Sequence, residues 1–328
     1  MFEGSSQPVG SPARDRRRFP LAVFVAALLA GVFALPGVAQ AWGPSVHLWI
    51  GDVLIQSLVA VAPLVAALIR RHARSFLYGS LSPDFYIGKG STYHDRHCHN
   101  WSTGHRLLEQ ARDPAQRAFA YGYLAHLSAD VIGHNHFVPN HLYRTFGSKK
   151  LGHAYFELHA DNLMDPAYRE LAALVVSAPQ RDNDLLLNEV IVEKALPFGA
   201  GKLLFARFLR WSNGRMVRRV LERARGYSEN LLAVDDVRDQ IALSLALAIE
   251  VLGRARPQDS VVCGFDPIGA RNIALAKDLR RETRRDRTFR RDDVPFPIPL
   301  ELRELRTRLE LVRGAVSSSG PLLVRAAV

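Results

Sequence analysis

Histidine is missing from the second half of this 328-residue sequence: all twelve lie between His47 and His159. Cysteine is scarce too. Cys98 and Cys263 are the only two, so a disulfide-framed scaffold is excluded, and the pair either bridge or stay free. There is no Gly-rich phosphate loop, which sets aside the P-loop nucleotide enzymes, and no internal repeat, which sets aside solenoids. Strand signals are few. The apolar block Ile241 to Leu252 is too short to span a bilayer, so something globular buries it. Acidic residues are in deficit, with 32 Asp and Glu against 43 Lys and Arg and a formal net charge of +11.

The N-terminus has the layout of a targeting segment. RDRRR at 14–18 precedes the apolar run Phe19 to Leu35 and then Ala39-Gln40-Ala41, an A-x-A cleavage pattern. Residues 1–41 therefore read as a signal peptide directing the protein to the periplasm or beyond; an uncleaved anchor is the alternative. Cleavage after Ala41 would free the amine of Trp42 and remove four arginines and two acids, lowering +11 by two to +9. That excess suits anionic partners such as phospholipid surfaces, nucleic acids or envelope polymers. The 48% hydrophobic content supports a sizeable core. Residues 42–255 read as a helical domain and 256–328 as an Arg-rich extension ending in an amphipathic helix from Glu301 to Val312. Between 279 and 291, seven arginines against two acids fit either a phosphate surface or an exposed connector. Arg215, Arg218, Arg219, Arg223 and Arg225 read as a solvated helix face.

The imidazoles are concentrated around Tyr121 to Asp161. Read as helix, this stretch puts His126, Asp130 and His134 at successive i, i+4 positions on one face, and His153 and Glu157 repeat the spacing after a turn. Two such helices facing each other would gather five nitrogen and oxygen ligands of the kind zinc takes. Upstream, His47 stands five residues after Trp42, Asp84 closes the turn Gly79-Ser80-Leu81-Ser82-Pro83-Asp84, and His94, His97, His99 and His105 fall within twelve residues. Taken singly, each has an ordinary reading: a histidine at a helix start, a turn carboxylate, a solvated loop. For His126, Asp130 and His134, flanked by Tyr123, Leu124, Leu127 and Val131, burial without a metal would strand a carboxylate charge.

These residues resemble the zinc-dependent phospholipase C family, which includes the catalytic domain of glycosylphosphatidylinositol-specific phospholipase D. The matching pieces are W-G-x-x-x-H at Trp42 to His47, the turn ending in Asp84 and Phe85, the H-x-W at His99 to Trp101, H-x-x-x-A-D-x-x-x-H at His126, and H-x-x-x-E at His153. The resemblance implies an all-α, multi-helix phospholipase C or zinc-nuclease-like bundle with a trinuclear metal cleft. By motif position Asp84, His99, His126 and Asp130 would hold one zinc, and His134, His153 and Glu157 a second. The third would take the amine and carbonyl of Trp42 with His47, sharing Asp130. Family spacing offers His136 in place of His134, whereas helix geometry favours His134; His97 competes with His99. The implied activity is phosphodiester hydrolysis of phospholipids by a zinc-activated water, with Asp84 as ligand and proton acceptor. A single-strand nuclease with the same metals, marked by stacking platforms at Trp49, Tyr93, Trp101 and Phe137, or a non-catalytic metal-binding envelope protein, are the alternatives.

Overall fold

In a computed structural model, the described residues are 42–86, 97–144, 156–191, 196–212, 214, 234–290 and 292–312. Residues 1–41, read above as a signal peptide, His94, His153 and the arginines from Arg215 to Arg225 lie outside them. The described residues are all-α, with no strand among them, as expected. In chain order the helices are α1 (Pro44–Gln56), α2 (Pro63–Arg71), α3 (Ala73–Gly79), α4 (Trp101–Gln110), α5 (Pro114–Ile132), α6 (Val138–Arg144), α7 (Pro166–Ser177), α8 (Arg181–Val190), α9 (Phe198–Ser212), α10 (Val234–Gly253), α11 (Ala270–Arg285) and α12 (Leu300–Glu304).

Local chemistry sets several of the starts. Pro44, Pro63, Pro114 and Pro166 each open a helix, where the missing N–H costs no hydrogen bond. Asp113 and Asp165 accept from the backbone N–H of Gln116 and Ala167 at 2.8 and 2.9 Å.

Helix α5 is the axle. Every residue from Ala118 to Ile132 is buried, and α1, α3, α4 and α10 pack around it. Its crossing with α3 is made by two glycines. A Cβ on Gly79 would overlap the carbonyl of Phe119, and one on Gly122 would overlap that of Phe76, so neither helix tolerates a side chain there. The block Ile241 to Leu252 is the buried core of α10.

Trp42 is fully buried, stacks on Phe137 at 4.6 Å, and donates from its indole to Ala129 O and Ser244 Oγ, both at 3.1 Å. The described residues after 256 pack on the helices before them: α11 lies against α6, and the 3-10 segment Leu305–Val312 against α10. There the buried Glu250 accepts from Arg254 at 2.6 Å and pairs with Arg308 at 2.7 Å. No described helix is long and apolar enough to cross a membrane.

Candidate metal centre

His126 and Asp130 occupy consecutive turns of α5 and face the same way. The glycine crossing brings α3 close enough for His126 Nδ1–H to donate to Ser80 O at 2.9 Å, which turns the Nε2 lone pair away from that carbonyl. On that side three other segments deliver ligand-type atoms. From α1, His47 stacks on His126 with centroids 3.8 Å apart and sets its Nε2 3.4 Å from Asp130 Oδ1. The 3-10 turn Ser82–Phe85 brings Asp84, and the turn before α4 brings His99. His99 Nε2 lies 3.4 Å from Asp84 Oδ1, 3.2 Å from Asp130 Oδ2 and 3.1 Å from His126 Nε2. His126 Nε2 is 3.1 Å from Asp130 Oδ2 and 3.9 Å from Asp84 Oδ1. All five side chains are buried.

Two carboxylates and three imidazoles in one dry volume make sense around cations. Burial, with His47 alongside, pushes the His126 imidazole below its ordinary value, so the ring is neutral and offers a lone pair. Burial also opposes charge on Asp130, but His126 and His134 outweigh it and hold the carboxyl below the usual range. Among the described residues, both buried Asp130 oxygens find no hydrogen-bond donor. Zinc bonds of about 2.0–2.2 Å in a tetrahedron separate the ligand atoms by roughly 3.3–3.6 Å. The separations among Asp84, His99, His126 and Asp130 bracket that edge. Two buried groupings could each hold a cation, Asp84 with His99 and His126, and Asp130 with His47 and His126. They share His126, and Asp130 reaches across them with Oδ1 beside His47 and Oδ2 beside His99 and His126, so the residues fit the metal.

The competing histidines separate by environment. His134 sits in the π-helical turn Gly133–Phe137, its ring centroid 5.9 Å from that of His99, whereas His136 turns its Nδ1 to Phe296 O at 3.2 Å. His97 uses Nδ1 to accept the backbone N–H of His99 at 3.0 Å, shaping the turn from which His99 reaches the cluster. Cys98 and Cys263 are both free thiols; Cys98 Sγ is 3.4 Å from His99 Nδ1 and 3.3 Å separate Cys263 Sγ from Pro257 O. Glu157 is buried on the helical run 156–161. On that run Asp161 accepts from Ser45 N at 2.6 Å, Ser45 Oγ at 2.8 Å and Val46 N at 3.3 Å, capping α1 two residues ahead of His47.

Tyr93 lies outside the described residues. Of the other candidate stacking platforms, Trp101 donates to Phe265 O at 2.7 Å from a buried position, Phe137 is fully buried, and Trp49 is half-buried. Sequence patterns pointed to the side chains and missed the backbone carbonyls of Ser80 and Pro267 that orient two of them, since a carbonyl has no residue signature. The close-packed glycines Gly79 and Gly122 were the one available hint.

Residues 46–196 match the model of a protein family described as zinc dependent phospholipase C. Over these residues the chain is similar to that family. The matched span holds His47, Asp84, His99, His126, Asp130, His134 and Glu157, and leaves α9 to α12 outside it. No curated protein and no solved structure matches the chain. The match supports a zinc-dependent, phospholipase C-like function, for which the family implies a phospholipid substrate.

Proposed function

We propose that the chain is an exported zinc-dependent phosphodiesterase that hydrolyses phospholipids with phospholipase C-like cleavage. The observation that carries the reading is Asp130, a buried carboxylate with His47 on one oxygen and His99 and His126 on the other. Asp84, His99, His126 and Asp130 would hold one zinc. His134, His153 and Glu157 would hold a second, and the backbone of Trp42 with His47 a third, sharing Asp130. Bound zinc supplies Lewis-acid polarisation of the phosphoryl oxygens and brings the pKa of water toward neutrality.

The chain's own residues do the rest. His126 is fixed by Ser80, so its lone pair is set before substrate arrives. Asp84, at the edge of the cluster beside His99, accepts the proton lost by the attacking water. Water attacks phosphorus in line, the bond to the glycerol oxygen breaks, and that oxygen leaves with a proton from solvent, giving diacylglycerol and a phosphorylated head group. Trp101 and Phe137 are committed to the core, so two of the platforms a single-strand nuclease would use face inward.

The test is to assay residues 42–328 against phosphatidylcholine dispersions and single-stranded DNA in parallel, with and without EDTA. Phosphocholine release that EDTA abolishes is the expected result. Lipid hydrolysis that survives EDTA, or DNA cleavage without lipid hydrolysis, overturns the reading.

A further inference from the structure

We infer that the turn Phe265–Gly269, outside the family-matched residues, is a positioning element that fixes the tautomer and aim of His134. The inference rests on the reading above that His134 holds zinc. His134 Nδ1 lies 2.8 Å from Pro267 O, and a carbonyl only accepts, so Nδ1 carries the proton and Nε2 the lone pair. The same ring neighbours that of His99, 5.9 Å away between centroids, so its aim matters to the cluster.

The turn is built to hold that carbonyl in place. Asp266 Oδ1 accepts from Ile268 N at 2.9 Å and its Oδ2 from Gly269 N at 3.1 Å, a side chain closing its own turn. Trp101, on the helix that follows His99, donates to Phe265 O at 2.7 Å, and Asn135 donates to Asp266 O at 2.5 Å. Asn272 of α11 ties back to Asn135 O at 3.2 Å. Gly269 has φ of +60°, and a Cβ there would overlap the backbone and Cβ of His134, so the turn is pressed against the residue it orients. A half of the chain with no histidine thus reaches the cluster through a carbonyl.

The decisive readout needs no activity: 15N NMR of the zinc-free full chain with labelled histidine. Wild type should show His134 protonated at Nδ1. Asp266→Ala, which removes both acceptors that close the turn, should mix the tautomers and weaken zinc binding, measured by chelator competition, by about 10–100-fold. Asp266→Asn, keeping an amide oxygen for Ile268 N, should recover part of the loss. An Nε2-protonated His134 in wild type, or unchanged zinc affinity in a folded Asp266→Ala, overturns the proposal; should that variant fail to fold, the wild-type tautomer still decides. His134→Ala separates the two claims. Retention of the full zinc complement would remove His134 from the ligands and with it the reading beneath, whereas loss of zinc in His134→Ala with none in Asp266→Ala would overturn the positioning role alone.

Discussion

His141 is a buried imidazole whose two nitrogens find no hydrogen-bond partner among the described residues; it lies between the rings of Phe137 and Phe156. Burial pushes it down to about 3, with Arg144 and His159 adding to the shift. The unfolded chain therefore takes up a proton near pH 6.5 that the folded chain refuses until about pH 3, and stability falls by about 1.4 kcal/mol per pH unit as pH drops through that window. Between pH 7 and pH 5 this amounts to about 2 kcal/mol. Urea unfolding of His141→Phe in EDTA should lose about 2 kcal/mol less than wild type over that interval. Equal losses would show that His141 is protonated in the folded state. The contrast with His126 is instructive at this scale. The spacing of His126 to Asp130 was legible because helical periodicity fixes which side chains share a face. The choice between His97 and His99 was not, because a turn with histidines two apart has no period, and only the N–H of His99 bonding to His97 shows which ring faces Asp84 and Asp130.

Among elements, the crossing of α3 with α5 matters most. It lets Ser80 reach His126 and sets the turn that carries Asp84 against α5. Gly122→Ala places a methyl group on the Phe76 carbonyl, and the two helices must part. The expected cost is about 3 kcal/mol, the upper end for overpacking, together with weaker zinc binding because Ser80 retreats from His126. Thermal unfolding with chelator titration checks both; unchanged zinc affinity in a destabilised variant would show that the crossing serves the core alone. Helix starts at Pro44, Pro63 and Pro114 follow from local chemistry, proline being tolerated in the first turn. Helix α8 (Arg181–Val190) opens on a polar first turn with Asp182 and Asp184, acids that favour a helix N-terminus but carry no apolar periodicity. The final helix from Glu301 to Val312 splits into α12 and a 3-10 segment along α10, a conformation set by packing against a distant partner.

For the molecule as a whole, the layout joins a family-matched body at 46–196 to a C-terminal half that packs on it. Composition showed the charge and the clustering of histidine. It could not show that Pro267 and Phe296, from a stretch reading as an Arg-rich extension, each place a carbonyl on a histidine of the π-helical turn. Contacts separated by more than 130 residues leave no local pattern. The central claim is that His47, Asp84, His99, His126 and Asp130 meet around zinc. A crystal of the 42–328 protein, measured on both sides of the zinc absorption edge, tests it most directly. An anomalous peak within bonding distance of Asp84, His99, His126 and Asp130 is the predicted result, lost in Asp130→Asn. A map of zinc-supplemented protein with these side chains hydrogen-bonded only to one another, and no peak between them, would contradict the account.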